Sequence, residues 1–123
     1  MCSIELQVLG PLRRYAEENN GSIVLWVIAG GRSVLLPGDV GAIAQRELPA
    51  VKPDVLLVPH HGAATTDLEW LESTVGEMAL ISVGPNTYGH PDPGVMAVLE
   101  AVGVTPRLTM EEGDISIPLG TRP

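Results

Sequence analysis

Short apolar segments alternate with polar turns rich in glycine and proline along the chain. Residues 4–9 alternate between apolar and polar side chains, which is the period of a half-buried strand, and Gly10-Pro11 ends this segment. Residues 22–28 and 33–36 are rich in β-branched residues and leucine, and Gly30-Gly31 lies between them. Because such a glycine pair fits a tight turn, these two segments predict a β-hairpin.

Helical periodicity begins after Asp39. Thr66 and Glu69 have the spacing of a capping box, and Asp92 followed by Pro93 is typical of a helix start. Three apolar stripes predict helices: Val40, Ile43, Ala44 and Leu48; Leu68, Leu71 and Val75; and Val95, Val98, Leu99 and Val102. Further strands are predicted at residues 54–58, 78–83, 105–110 and 115–119. The order β, β-hairpin, α, β, α, β, α, β, β predicts an α/β (α+β) fold, with one mixed sheet and helices mainly on one face.

Composition narrows the class of protein. With 123 residues, 45% of them hydrophobic, the chain is long enough for a single domain, residues 1–123, with one core. Its net charge of −8 argues against passive binding to a phosphate backbone, which a basic surface normally drives. Cys2 is the only cysteine, so no internal disulfide forms. The longest apolar run, Ile23–Ala29, is far shorter than the ~20 residues that span a bilayer, so we expect a soluble segment.

All three histidines and one aspartate follow predicted strands. Asp39 comes after the hairpin, His60 and His61 after the next strand, and His90 after the strand that follows. Strand ends that meet at one edge of a sheet would bring these imidazoles and the carboxylate together, as in a metal site. Each residue also has a structural interpretation, Asp39 as a helix N-cap and each histidine as a hydrogen-bonded structural residue. Alternation along an extended chain predicts that only one of His60 and His61 faces the site, with the other behind it.

Other kinds of site have weaker support. Ser82 lies in a predicted strand without acidic or basic neighbours, so a Ser/His/Asp triad would depend on the fold alone. No phosphate-binding P-loop or dinucleotide fingerprint occurs. Trp26 and Trp70 are interpreted as packing residues, because no basic residues are interleaved with them as in a base-stacking surface.

Four motifs occur in order between residues 19 and 117. They are Asn19-Asn20-Gly21-Ser22-Ile23-Val24-Leu25, Leu35-Leu36-Pro37-Gly38-Asp39-Val40, Asp54-Val55-Leu56-Leu57-Val58-Pro59-His60-His61-Gly62-Ala63 and Ile81-Ser82-Val83-Gly84-Pro85-Asn86-Thr87-Tyr88-Gly89-His90-Pro91. Together they resemble the metallo-β-lactamase-like domain of ComEC-type DNA-internalisation (competence) proteins. The resemblance implies an αββα sandwich, of which this chain would be the C-terminal half. It also implies a nuclease that degrades the non-transported DNA strand during natural transformation, in a parent protein of the bacterial cell membrane.

The resemblance also implies roles for the four site residues. Asp39 would bridge two metal ions, and His60, His61 and His90 would be metal ligands, with Asp39, His60 and His90 taking part in catalysis. The cofactor implied is one or two divalent ions, zinc or manganese. Three positions depart from the family pattern: Pro37 in place of threonine, Ala63 in place of serine, and Met110 in place of an acidic residue.

One motif of that family is absent. Nothing in this sequence matches the H-x-H-x-D-H segment that supplies the other ligands. The chain is therefore interpreted as a half-domain, which either pairs with a missing N-terminal half or self-associates through apolar sheet surface left uncovered.

Three functions are open on the sequence. The first is a metal-dependent hydrolase module whose substrate is the phosphodiester bonds of DNA. The second is a non-catalytic structural half-domain that binds a partner or a second copy, because an open sheet is a natural assembly surface. The third is a small-molecule metallo-hydrolase of the lactonase or thioesterase type.

Overall fold

A computed structural model describes residues 3–120 of the chain. Within this range there is one six-stranded sheet, with four α-helices and two short turns of four residues each. The strands are β1 (Ile4–Gly10), β2 (Val24–Ala29), β3 (Arg32–Leu36), β4 (Val55–Leu57), β5 (Met78–Ile81) and β6 (Arg107–Leu108). The helices are α1 (Ala42–Glu47), α2 (Leu68–Thr74), α3 (Pro93–Ala101) and α4 (Thr109–Glu112); a 3-10 turn spans Glu18–Gly21, and a turn with left-handed central residues spans Pro59–Gly62. No helix in residues 3–120 has the length and apolar character needed to cross a membrane.

The strands follow one another across the sheet in chain order. β1, β2 and β3 are antiparallel neighbours, whereas β3 to β6 run parallel. Each parallel connection contains one of the helices α1, α2 and α3. Because such crossovers are right-handed and the strand order never reverses, these helices cover the same face. The predicted mixed α/β fold is therefore confirmed.

The hydrophobic core lies between the covered sheet face and the helices. On the sheet side, Leu35, Leu56 and Ala79 pair across three adjacent strands and are each at most 1% exposed. On the helix side, Leu71 of α2 and Leu99 of α3 are fully buried. Since full burial of a leucine side chain contributes about 1.5–3 kcal/mol, this layer is the main apolar contribution to stability.

The opposite face of the sheet is open at β1. Ile4, Leu6 and Val8 project from the same side of this strand and are 68%, 64% and 67% exposed. Leu6 pairs with Val27 of β2, which is only partly buried. A row of apolar side chains at the edge of a sheet is a surface suited to association with another segment.

Helix α1 buries a glutamine where the sequence predicted an isoleucine. Ile43 is 52% exposed, so its predicted place in the apolar stripe is wrong, and Gln45 is 0% exposed. The Gln45 amide tolerates burial because both of its ends are hydrogen-bonded. Its Nε2 donates to the carbonyl of Val40 at 2.7 Å, and its Oε1 accepts from the N–H of Asp67 at 2.7 Å. Gln45 thereby connects α1 to the start of α2.

Helix α2 is capped by Asp67, so the predicted capping box at Thr66 and Glu69 is wrong. Asp67 Oδ1 accepts from the Trp70 N–H at 2.9 Å, whereas the Thr66 hydroxyl donates to a backbone carbonyl of the preceding turn. Arg46 of α1 also donates to Asp67 Oδ2 at 2.8 Å. The Trp70 N–H, and then the Arg46 guanidinium, lower the pKa of Asp67 from its ordinary value.

The last two predicted strands differ most from the structure. β6 contains only two residues, and α4 follows it directly. The predicted strand over 105–110 is therefore too long. The chain turns into α4 instead, and the Arg107 guanidinium donates to the Glu112 carboxylate at the end of this helix, at 2.7 Å. The prediction of a strand at 115–119 is also wrong, because a strand needs a partner and this segment joins no sheet. It runs back instead to the β2–β3 turn, where the Leu119 carbonyl lies against Gly30.

Candidate functional site

Three loops at one edge of the sheet carry the residues singled out in the sequence. Asp39 follows β3, His60 and His61 follow β4, and His90 lies between β5 and α3. Because β3, β4 and β5 are parallel neighbours, their carboxyl ends lie at the same edge. Ligand sites of open α/β sheets lie at this edge. The strand order therefore brings together residues that are far apart in the chain.

The rings of His60, His61 and His90 form a compact triangle. The ring centroids are 6.0 Å apart for His60 and His61, 5.7 Å for His60 and His90, and 6.5 Å for His61 and His90. His61 is exposed and the other two are half-buried, so a ligand can reach the cluster from solvent. Tyr88 stands at the rim, with its ring 5.7 Å from that of His90.

His60 and His61 have a backbone conformation that residues with side chains rarely adopt. Their φ and ψ angles are 50° and 47° for His60, and 58° and 24° for His61. Each left-handed residue costs about 1–2 kcal/mol, and such strain is concentrated at functional sites. The alternation expected from an extended chain is therefore wrong here. Both rings lie within 6.5 Å of the His90 ring, measured between centroids.

Backbone hydrogen bonds join the three loops. The N–H of His60 donates to the carbonyl of Gly38 at 3.0 Å, and the N–H of Asp92 donates to the carbonyl of Gly62 at 2.8 Å. Gly62 has no space for a side chain, because a Cβ there would lie 2.8 Å from the Cβ of Pro91. The loop with the histidine pair is thus held between the other two loops.

The carbonyl of Ser82 sets the proton position on His61. His61 Nδ1 lies 2.6 Å from this oxygen. Because a carbonyl only accepts, Nδ1 carries the hydrogen and the lone pair of Nε2 is free to bind a cation. A bond from a ring N–H to a backbone carbonyl commonly orients metal-binding histidines. Ser82 is exposed and follows β5 instead of lying inside it, and its contribution is a backbone oxygen, not a hydroxyl nucleophile.

Asn20 and Ser22 hold the turn that carries Asp39. Ser22 Oγ accepts from the Asp39 N–H at 3.2 Å, and Asn20 Oδ1 accepts from the Gly41 N–H at 2.7 Å. A Cβ on Gly38 would lie 2.8 Å from that of Ser22, so this position has no space for a side chain. Sequence reasoning assigned neither polar residue a role. The available signal was their position at the start of a predicted strand, with Asn20 just before residues 22–28 and Ser22 as the first residue of that segment.

The alternative role of Asp39 as a helix N-cap is wrong. Helix α1 begins after Gly41, which has no side chain to cap it. Within residues 3–120 the Asp39 carboxylate makes no hydrogen bond or ion pair, and the same is true of the rings of His60 and His90. The potential ligand atoms of these three residues are therefore uncommitted.

Asp39 and His60 line one cavity of about 470 Å³ together with Glu17. Its two carboxylates give the cavity a negative potential that attracts cations. A larger cavity, about 770 Å³, lies beside α1 and α2 and is lined by Arg46, among others, but by none of the four site residues. Of these two cavities, only the smaller one reaches the site, through Asp39 and His60.

The donor chemistry suits a divalent cation, although the side chains are not closed around one. Imidazoles that share a tetrahedral ion at 2.0–2.1 Å have ring centroids roughly 5 Å apart. Here the separations are 5.7–6.5 Å. No group of three or more His, Cys, Asp or Glu side chains in residues 3–120 is arranged to hold a metal ion. Binding would require the rings to approach one another by about 1 Å.

The chain is similar to parts of several longer proteins, although no protein-family profile matches it. It is 36% identical over 106 residues to ComE operon protein 3 of Bacillus subtilis and 30% identical over 125 aligned positions to competence protein ComA of Neisseria gonorrhoeae. It is 33% identical over 119 residues to recombination protein 2 of Haemophilus influenzae. These alignments cover 81%, 95% and 93% of this chain but only 14%, 18% and 15% of the relatives. The chain thus corresponds to one segment of each relative.

Proposed function

We propose that this chain supplies half of a metal-dependent site that hydrolyses the phosphodiester bonds of DNA in a DNA-uptake protein. The observation that carries the proposal is the meeting of His60, His61 and His90, with ring centroids 5.7–6.5 Å apart, at the sheet edge that also carries Asp39. The names of two relatives, a ComE operon protein and a competence protein, support the biological setting.

Asp39, His60, His61 and His90 would hold the cation. His61 is best prepared for this role, because its Nδ1 donates to a carbonyl and its Nε2 is free. His60 and Asp39 face a shared acidic cavity that favours a cation over an anion. A divalent ion, zinc or manganese, would supply the positive charge that polarises the phosphate and offsets the acidic surroundings.

Four protein donors are few for a two-ion site, which also has to bind the substrate. We propose that the other ligands come from a segment with the pattern H-x-H-x-D-H outside this sequence. The residues described here would then fix one side of the site. The histidine rings, up to 6.5 Å apart, do not surround an ion on their own. This is what we expect if ligands from another segment complete the coordination of the ion.

The test is DNA cleavage by this chain fused to a segment that carries the H-x-H-x-D-H ligands. The fusion should cut linear DNA in the presence of manganese, whereas the isolated chain should be nearly inactive. Asp39→Asn and His90→Ala should each lower the rate on the order of 100-fold, because a lost ligand disturbs both the ion and the substrate. Asp114→Asn is the matched control, since it removes the same charge from an exposed turn. Full cleavage by Asp39→Asn would contradict the proposal.

A second candidate, favoured by a different observation, is a non-catalytic half-domain that assembles through β1. Ile4, Leu6 and Val8 are 64–68% exposed on one side of this strand. Apolar side chains in such a row favour contact with another sheet or segment. If the chain associated through β1 and bound no divalent ion with any added segment, this second function would replace the first.

A further inference from the structure

The loop between β5 and α3 is organised by one side chain, that of Asn86. Its Nδ2 donates to the carbonyl of Gly84 at 2.9 Å and to the carbonyl of His90 at 2.8 Å. Its Oδ1 accepts from the N–H of Tyr88 at 3.0 Å and from the N–H of His90 at 3.1 Å. Every hydrogen-bonding position of the amide is therefore used, and all four partners are backbone groups of the loop.

These partners also fix which way the amide points. The oxygen faces two N–H donors and the nitrogen faces two carbonyl acceptors. A flipped amide would place its NH₂ against the N–H groups of Tyr88 and His90 and would lose all four bonds. Asn86 thus holds the loop in one arrangement.

His90 depends on Asn86 through both of its backbone polar groups. Its N–H and its carbonyl bind the same amide, and neither makes another hydrogen bond within residues 3–120. On the N-terminal side of His90 the backbone has few other constraints, because Gly89 has no side chain and has a φ of 82°, whereas on the C-terminal side Pro91 restricts it. When the N–H and the carbonyl of a residue are fixed, the direction of its Cα–Cβ bond is fixed too, and with it the position from which the ring extends.

Asn86 lies outside the hydrophobic core, so it can orient His90 without contributing to core packing. Asn86 is exposed, and its partners are loop atoms instead of atoms of the buried sheet or helices. The ring of His90 lies 5.7 Å from that of His60 and 6.5 Å from that of His61, measured between centroids. A change at Asn86 is therefore expected to move the His90 ring in this triangle while the core remains intact.

We infer that Asn86 is the positioning residue that holds His90 in register with His60 and His61 for cation binding. This inference rests on the proposed function, because it concerns the same site. Residues that orient metal ligands without touching the metal typically contribute about 10- to 100-fold to metal affinity. Asn86 would act in this way through the backbone of His90.

Two substitutions separate positioning from simple turn formation. Asn86→Asp keeps an oxygen that can accept from Tyr88 and His90, which is all that an ordinary Asx turn needs. It loses both donors and places a carboxylate oxygen against the carbonyls of Gly84 and His90. Asn86→Ala removes all four bonds. Thr87→Ala is the control in the same loop, because the Thr87 side chain makes no hydrogen bond within residues 3–120.

The first readout is the Zn²⁺ dissociation constant of the 123-residue chain, measured by competition with a chelating dye. We expect it to rise about 10- to 100-fold in both Asn86→Ala and Asn86→Asp and to stay within about twofold in Thr87→Ala. Circular dichroism should show a native spectrum for each variant. Wild-type affinity in Asn86→Asp would mean that only the turn oxygen matters, and wild-type affinity in Asn86→Ala would mean that the side chain has no positioning role. Either result would overturn the inference.

The second readout needs no metal and keeps this inference separate from the proposed function. In the metal-free protein, the NMR shifts of the His90 ring should change in both Asn86 variants, while those of core methyl groups such as Leu56 stay in place. Failure of the wild-type chain to bind Zn²⁺ would count against the proposed function alone. Unchanged His90 ring shifts in both Asn86 variants would overturn the positioning role, with or without metal binding.

Discussion

The left-handed backbone of His60 and His61 should make glycine more stabilising than alanine at these two positions. Both substitutions remove the imidazole, so both lose the proposed ligand equally. They differ in backbone freedom, because glycine adopts φ angles of 50° and 58° without the clash that a Cβ causes. The comparison therefore measures the strain that the fold tolerates at this site.

The expected difference follows from two opposing effects. An L-residue in the left-handed region costs about 1–2 kcal/mol, which His60→Gly would remove and His60→Ala would keep. Glycine also loses about 0.5–1 kcal/mol more conformational entropy on folding than alanine does. The net result is a glycine variant more stable than the alanine variant by roughly 0.5–1 kcal/mol. For a domain of this size that corresponds to about 2–4 °C in the midpoint of thermal unfolding.

Urea and thermal unfolding, followed by circular dichroism, give this difference directly. Ala97→Gly is the matched control, because Ala97 is an exposed residue inside α3, where the backbone is helical. At this position glycine should be less stable than alanine by about 1 kcal/mol, whereas at His60 and His61 glycine should be the more stable of the two. If His60→Ala and His61→Ala were each at least as stable as the corresponding glycine variant, the strain assigned to this segment would be wrong.

Three further predictions concern association, a cap and a buried amide. The chain should self-associate at high concentration through the exposed apolar residues of β1. Multi-angle light scattering should show weaker association for Leu6→Lys. A stable wild-type monomer would count against an association surface at β1. Asp67→Ala should lower the unfolding free energy at pH 7 by about 1 kcal/mol, with a smaller effect in acid. The folded-state pKa of Asp67 is lowered by the Trp70 N–H and then by Arg46, so its contribution is present above the ordinary carboxyl pKa and is lost as the pH falls through the folded-state value. If Asp67→Ala lowered the unfolding free energy equally at acidic and neutral pH, this pH dependence would be refuted. Gln45→Leu should lower the unfolding free energy by about 1–3 kcal/mol in urea unfolding, because the buried Val40 carbonyl and the partly buried Asp67 N–H lose their partner. An unchanged unfolding free energy would mean that water replaces the amide.

The regular part of the fold could be predicted because it depends on local pattern. Alternating apolar residues in β1 and the pair Gly30-Gly31 specify a strand and a hairpin whatever surrounds them. Asp92 before Pro93 likewise marks the start of α3, where the Asp92 carboxylate accepts from the Gly94 N–H at 2.9 Å.

The errors arose where tertiary contacts override the local pattern. The apolar stripe predicted for α1 included Ile43 and not the polar Gln45, but Gln45 is buried because its amide bonds to the Val40 carbonyl just before α1 and to the Asp67 N–H at the start of α2. The residues at 115–119 have strand-like composition, yet β6 is too short to offer them a pairing edge. The contact between Gln45 and Asp67, and the short length of β6, both depend on tertiary structure.

The candidate site also has a part that local sequence predicts and a part that depends on tertiary contacts. The ligand candidates could be found because histidines after successive parallel strands meet at one edge. The residues that hold them, Asn20 and Asn86, act through loop paths that the sequence does not specify. The paired conformation of His60 and His61 was missed for the same reason, because an extended backbone was assumed there.

The most direct test of the central claim is a Zn²⁺ titration of the 123-residue chain, followed by NMR of the histidine rings. The claim is that His60, His61 and His90 form one cation-binding cluster with Asp39. It predicts that all three rings shift together at a single apparent affinity, and that His90→Ala weakens the response of the other two. Independent responses of the three rings, or no response at millimolar Zn²⁺, would contradict the claim.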